Sequence, residues 1–253
     1  MNIQHQEIDY FINRMATGPR FALVGYGDAE LFSMIGYDLG KRTGLGQILD
    51  GPTGVRLLDV MKRRYSDPNF MFSVPGCVWQ REVFVKAGTG DSIDKFLGEN
   101  GLVDMVAYER DLITDELAEH AQLYPFIRSL QQQTTVVIGN KHLAELDFLG
   151  YYQFIEISCP NHHMEDQKVA LDRIKEMVSY WRDQRITYLV SGGMSASLII
   201  DAIYDLCPTS TFFDCGSIWD AFVGIGCQRE WRRKLYSDPT ALASWRRKNL
   251  EGS

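Results

Sequence analysis

Hydrophobic positions along this chain follow two different periods and switch between them repeatedly. Ile8, Phe11, Ile12 and Met15 recur at helical spacing until Thr17-Gly18-Pro19 ends the pattern, which predicts a helix docked on the body. The next segment, Arg20-Phe21-Ala22-Leu23-Val24-Gly25, is the short apolar run of a strand buried on both faces. It leads through Gly27-Asp28-Ala29-Glu30 to Leu31, Met34 and Ile35, which open a helix. The alternation is cleanest in the second half, where apolar runs at 135–138, 153–157 and 186–190 predict strands. Between them lie one helical pattern through Leu143, Leu146 and Leu149 and another through Val169, Ile174, Met177, Val178 and Trp181. A helix over 195–206 and a last strand at 211–213 follow. Strands and helices alternating at this spacing predict βαβ units with right-handed crossovers. The expected fold class is α/β: a doubly wound, mainly parallel, Rossmann-like sheet with helices on both faces.

The first half is less regular after its opening strand. Six glycines between Gly36 and Gly54 exceed what a regular element holds and predict an ordered or mobile loop. A helix at 55–65 and strands at 70–74 and 104–108 come next. The pattern divides into a single α/β domain over 1–227, two βαβ halves meeting near 133, and a basic helical tail over 228–253. A chain of 253 residues, 45% hydrophobic and 23% charged, buries about 70–75% of its unfolded surface and needs no disulfide or structural metal for stability. The uncharged stretch 186–200 contains serines and glycines and is too short to span a bilayer, and no signal segment is visible, so a cytoplasmic location is expected. Five cysteines without a CxxC pair argue against a zinc ribbon and an extracellular disulfide framework. A net charge of −7 argues against whole-surface attraction to nucleic acid, although the tail carries seven basic residues against three acidic ones.

In an open parallel sheet, ligands sit beyond the carboxyl ends of the strands, so the turns there are the places to look for chemistry. In Gly25-Tyr26-Gly27-Asp28-Ala29-Glu30, two carboxylates leave a strand through a glycine turn. Their hard oxygens suit Mg²⁺ or Mn²⁺, and the same residue types also suit a helix cap and a first-turn acid. In Ser191-Gly192-Gly193-Met194-Ser195-Ala196-Ser197, glycines admit an anion to the backbone, helix-start amides point at it and hydroxyls add donors. A phosphate or diphosphate fits there, and so does a plain strand-to-helix junction capped by Ser195. The segment is neither a Walker A loop nor GxGxxG, so a dinucleotide site is not supported. Asp214, beside Cys215 and Gly216 after the last strand, can bind a ribose hydroxyl or act as a base. Glu109, Asn140 and the 158–163 turn also sit at strand ends. His162 and His163 are adjacent, which suits a solvated turn, and Cys159 and Cys215 read as buried structural cysteines.

Taken in order, these turns resemble the GT-D type glycosyltransferases, a group first described as a domain of unknown function. The resemblance runs from Phe21 to Leu31 with Asp28 and Glu30, then through Val136-Val137-Ile138-Gly139 and Phe154-Ile155-Glu156-Ile157 with Asn161. It continues through Leu189-Val190-Ser191-Gly192-Gly193-Met194-Ser195-Ala196 and Phe213-Asp214-Cys215-Gly216, and covers most of 21–222. It implies that Asp28 and Glu30 bind a divalent metal, Mn²⁺ or Mg²⁺, at the diphosphate of a nucleotide sugar, commonly a UDP-sugar. Gly27, Ser191, Gly192, Gly193 and Ser195 would then meet the donor phosphates, and Asp214 would be the candidate catalytic base. Two positions depart from the family pattern. Gly25 stands where the family has an arginine, and Ser217 where it has a histidine. The cation would have to come from Arg20, Lys41 or Arg42, and the imidazole from elsewhere in the chain.

The expected activity is a metal-dependent glycosyltransferase of the hexosyltransferase class, moving a sugar from a nucleotide-sugar donor to an acceptor hydroxyl. Whether the acceptor is a glycan, a lipid-linked sugar or a nucleic acid stays open, as does oligomer formation. The rivals are a non-catalytic nucleotide-sugar binding module and a methyltransferase-like α/β enzyme. In the tail, Trp231-Arg232-Arg233-Lys234 and Trp245-Arg246-Arg247-Lys248 fit a docking helix pair with solvated cations, or else a surface for an anionic acceptor.

Overall fold

In the computed structural model, residues 2–35, 51–74, 92–109, 116–157, 164–225 and 229–252 are described, without the side chains of 28, 51–52, 92–94 and 164–170. The expectations for the glycine-rich stretch 36–50, Lys41, Arg42, Cys159, Asn161, His162 and His163 lie outside the described residues. The strands are β1 (Asn2–Gln4), β2 (Ala22–Gly25), β3 (Phe70–Val74), β4 (Val106–Glu109), β5 (Thr135–Gly139), β6 (Gln153–Glu156), β7 (Thr187–Ser191) and β8 (Thr211–Asp214). They form one sheet in the order β1-β4-β3-β2-β8-β7-β5-β6. Every pairing is parallel, so the sheet is more uniform than the mainly parallel one expected.

The helices in chain order are α1 (Ile8–Thr17), α2 (Asp28–Met34), α3 (Gly51–Arg64), α4 (Ser92–Glu99), α5 (Glu116–Glu119), α6 (Tyr124–Gln131), α7 (Met164–Ser179), α8 (Ala196–Tyr204), α9 (Asp220–Val223), α10 (Glu230–Ser237) and α11 (Pro239–Glu251). A parallel sheet must be covered on both faces, and the pleat supplies two apolar sets to do it. Val24, Phe72, Ile138, Val190 and Phe212 pack into one layer with α2, α3, α4, α7 and α8. Their strand neighbours Leu23, Met71, Val137, Leu189 and Phe213 pack into the other with α1, α5, α6, α9 and α11.

Three sequence expectations change. The pattern through Leu143, Leu146 and Leu149 forms two 3₁₀ turns, Lys141–Glu145 and Asp147–Leu149, instead of an α-helix. Gly51 and Gly54 belong to α3 and not to a loop. A Cβ on Gly54 would lie 2.1 Å from the Ser33 carbonyl oxygen, so glycine is what lets α3 pack directly on α2. The edge strand β1 was not foreseen, and β4 starts two residues later than expected.

Candidate functional site

Three neighbouring strands, β2, β8 and β7, end side by side. The chain leaves β2 and β7 toward the layer of α2 and α8, whereas it leaves β8 toward the layer of α9. The winding therefore changes sides at β8, and in such a sheet the resulting crevice is where ligands bind. Direct bonds knit the three turns together. Ser197 donates its hydroxyl to the Gly25 carbonyl at 3.2 Å, and the Cys215 amide donates to the Val190 carbonyl at 2.9 Å.

At the β2 turn, Gly27 is the N-cap of α2 and Asp28 is its first residue. Glu30 folds back so that its carboxylate accepts the Gly27 amide at 2.8 Å, and the side chain is mostly buried. It therefore fills the capping role that its residue type allows. The same fold-back brings the Glu30 carboxylate to the start of the helix, beside the backbone of Asp28, whose side chain lies outside the described residues. Two residues apart within a helix would otherwise point nearly opposite ways. Tyr26 is fully buried, donates to the Leu57 carbonyl at 3.0 Å, and has its pKa held well above the ordinary tyrosine value, first by burial and then by the charges of Glu30, Asp201 and Asp214. It is a neutral structural phenol in the core beneath the β2 turn. Among the described residues, no three His, Cys, Asp or Glu side chains gather as a metal-binding group.

The β7 turn runs through a 3₁₀ bend, Gly193–Ser195, into α8. Gly193 has φ +53°, a left-handed conformation that favours glycine. The Ser195 amide donates to the Gly192 carbonyl at 3.1 Å and the Ala196 amide to the Gly193 carbonyl, so the bend uses these two donors internally. Ser195 occupies the N-cap position of α8 without a side-chain cap bond. The Ser191 hydroxyl is buried and, among the described residues, has no hydrogen-bond partner. It lies in step with Leu189 on the side of the second layer, where a Cβ on Gly139 would come within 3.5 Å of its own Cβ. The structure thus brings Gly192, Gly193 and Ser195 to the start of α8 and sets the Ser191 hydroxyl apart from them.

Asp214 joins the turns. One carboxylate oxygen accepts the Gly25 amide and the other the Gly216 amide, both at 2.9 Å. Gly216 has φ +51°, which lets the chain curl back over the carboxylate. Gly25, where the resembling family has arginine, therefore contributes its backbone amide to Asp214. Ser217, where that family has histidine, accepts from Arg232 of α10 at both its carbonyl and its hydroxyl, at 2.5 and 2.9 Å.

That arginine corrects the picture of a solvated tail. Arg232 is only 2% exposed and also reaches the Asp220 carboxylate at 3.1 Å. Arg246 donates to the Phe222 carbonyl at 2.6 Å. Trp245 is buried with its indole N–H on the Ala118 carbonyl at 2.7 Å, so the docking half of the expectation holds, while Arg233 and Arg247 are exposed. Arg20 cannot replace the missing cation. It precedes β2 at the amino edge, about 13 Å of strand from the crevice, where it donates to the Tyr204 carbonyl at 2.9 Å. Asn140 caps a 3₁₀ turn by accepting the His142 amide, Glu109 pairs with His5, and Cys215 is buried. Neither the burial of Arg232 nor its bond to Ser217 carries a sequence signal apart from its four-residue spacing to Tyr236, which turns to the same segment by donating to the Asp220 carbonyl at 3.0 Å.

Fold and site together define a doubly wound α/β protein with its polar turns gathered where the winding changes sides. No family model and no curated protein matches the chain. A selenomethionine-substituted solved structure described as domain of unknown function 1792 is similar, with a TM-score of 0.53 at 13% identity over 94% of this chain and 82% of that one. At that identity the likeness is one of fold. Among the described residues, no helix is long and apolar enough to cross a membrane.

Proposed function

We propose that the crevice at the ends of β2, β7 and β8 binds a nucleotide sugar, commonly a UDP-sugar, and that the chain is a metal-dependent glycosyltransferase. The observation that carries this reading is the bonded junction of the three turns: Asp214 holds the Gly25 amide, and Ser197 at the start of α8 holds the Gly25 carbonyl. Acidic oxygens and a glycine-rich helix start therefore share one crevice, as the resemblance to the GT-D type glycosyltransferases requires. The donor set suits a hard cation, since Glu30 returns its carboxylate to the residue preceding Asp28. Asp28 and Glu30 would hold Mn²⁺ or Mg²⁺, which when bound neutralises the charge growing on a leaving diphosphate.

The remaining work falls to the chain itself. Phosphate oxygens would be oriented by backbone amides in the bend at Gly192 and Gly193, at the positive end of α8, with Ser195 beside them, while Gly27, whose amide is taken by Glu30, would border the phosphates. We assign Asp214 to a ribose or acceptor hydroxyl, because a carboxylate oxygen that takes one amide can also accept a hydroxyl. As a base it would receive the proton of the acceptor hydroxyl as the new glycosidic bond forms. Ser191 would contribute through its backbone, given the burial of its hydroxyl.

A second reading, a nucleotide-sugar binding module without turnover, is favoured by two observations: Arg20 lies at the opposite edge of the sheet, and Ser217 is already engaged by Arg232. Metal-stimulated release of UDP from UDP-sugars separates the two. The transferase reading expects Mn²⁺-dependent release that Asp28→Asn or Glu30→Gln abolishes with the fold intact. Binding without any release supports the module, and stabilisation by S-adenosylmethionine instead of UDP-sugars would point to a methyltransferase-like enzyme.

A further inference from the structure

We propose that Arg232 is a positioning residue for this site, a tail side chain that holds the turn after β8 in the shape by which Asp214 reaches Gly25. For its effect on ligand binding, the proposal rests on the nucleotide-sugar reading of the crevice.

Arg232 belongs to the basic run of α10, yet it is only 2% exposed while its neighbour Arg233 is exposed. Burying a charge is costly unless it is paired, and both terminal nitrogens of this guanidinium meet acceptors. Its guanidinium meets the Ser217 carbonyl, the Ser217 hydroxyl and the Asp220 carboxylate at 2.5, 2.9 and 3.1 Å. Those three acceptors lie on both sides of Ile218 and Trp219, so the contact fixes the start of the segment that leads into α9. A planar fork of donors spans them, which a lysine ammonium would not do with the same geometry.

The clamp continues into the crevice without a break. Ser217 follows Gly216, whose amide donates to one oxygen of Asp214, and the other oxygen holds the Gly25 amide at the end of β2. Other tail side chains fasten the far end of the same segment. Arg246 donates to the Phe222 carbonyl, and Tyr236 donates to the Asp220 and Ile225 carbonyls at 3.0 and 3.3 Å. The basic tail therefore acts on the site through the side chains that turn inward, Arg232 above all, while Arg233 and Arg247 are exposed. Because Arg232 is buried behind Ser217, it acts through Asp214 and does not itself meet a ligand.

The test compares the full-length chain with Arg232→Met, Arg232→Lys and Asn249→Ala. Asn249 is a buried α11 residue that accepts the Leu123 amide at 2.8 Å and lies outside the clamp, so it reports loss of tail stability alone. Hydrogen exchange is measured at the Gly25 and Gly216 amides, with UDP affinity in Mn²⁺ alongside. Arg232→Met should speed exchange at both glycines at least tenfold beyond Asn249→Ala and weaken UDP at least tenfold, with Arg232→Lys in between. Wild-type exchange at Gly216 in Arg232→Met, or an equal change in Asn249→Ala at the same loss of Tm, would overturn the proposal. If Arg232→Met does not fold, Asp220→Asn weakens the same clamp and should speed Gly216 exchange about threefold; no change there would overturn it equally. A wild-type protein that does not bind UDP would defeat the nucleotide-sugar reading, while the exchange comparison would still decide the role of Arg232.

Discussion

The two edges of the sheet spend their polar residues differently. At the amino edge, cations meet carboxylates and aromatic rings. Arg64 bonds Asp201 and Asp205 at 2.8 and 2.7 Å, Arg63 also reaches Asp201, and the Arg20 and Arg64 guanidiniums lie 4.2 and 5.1 Å from the Tyr204 ring centroid. At the carboxyl edge, the described partners of Glu30 and Asp214 are backbone amides of glycines. The first arrangement neutralises charge and ties α3 to α8. The second fixes the shape of three turns while keeping acidic oxygens and helix-start amides in one crevice. One edge secures the fold, and the other holds the site we propose.

The largest effect on stability should come from the amino edge. Arg64→Ala leaves Asp201, with only 12% of its side chain exposed, short of its main partner and should cost about 3 kcal/mol in chemical denaturation. Nucleotide affinity of the folded fraction should stay within about twofold. Asp214→Ala should reverse that balance, costing about 2 kcal/mol for two amides left without an acceptor and abolishing nucleotide binding. A variant that lost both properties at the amino edge would break the distinction between the edges.

Gly54→Ala probes the helix pair that links the edges, because α3 begins against α2 and ends at Arg63 and Arg64. The clash with the Ser33 carbonyl should cost about 2 kcal/mol by thermal denaturation and shift the start of α3. Gly193→Ala should cost less, about 1 kcal/mol, for a left-handed residue with a side chain. Its larger consequence is expected in nucleotide affinity, measured by calorimetry.

The smallest effect at neutral pH comes from two of the buried tyrosines, one at each edge. Burial pushes Tyr204 up to about 12, and burial with neighbouring acidic charge holds Tyr26 well above its ordinary value. A raised folded-state pKa gives stability that is fully present below the unfolded value near 10 and is lost as pH climbs toward the folded one. Denaturation midpoints should therefore hold up to about pH 10 and fall above it, and Tyr26→Phe should flatten that fall.

Much of this was legible in the sequence because strands buried on both faces need unbroken apolar runs, and the runs at Ala22, Thr135, Thr187 and Thr211 are distinct. The glycine and acid turns were legible for the same reason, since they interrupt those runs. What was missed depended on distant partners. β1 is three residues long and exists through its pairing with β4, Asn2 opposite Val106. Leu143, Leu146 and Leu149 repeat every third residue, which is the 3₁₀ period, and that spacing was a signal against an α-helix. Gly54 looked like loop composition because the Ser33 carbonyl that demands it lies in another helix. Arg232 looked like any cation in a basic run, because its partner Ser217 is brought to it only by the fold.

The central claim, a metal-assisted nucleotide-sugar site where β2, β7 and β8 end, is tested most directly by thermal stabilisation. The wild-type chain and Glu30→Gln are melted with a panel of nucleotide sugars, with and without Mn²⁺. The expected result is a rise in Tm with a UDP-sugar that requires Mn²⁺ and disappears in Glu30→Gln. No stabilisation by any nucleotide sugar, or stabilisation that is indifferent to both Mn²⁺ and Glu30, would contradict it.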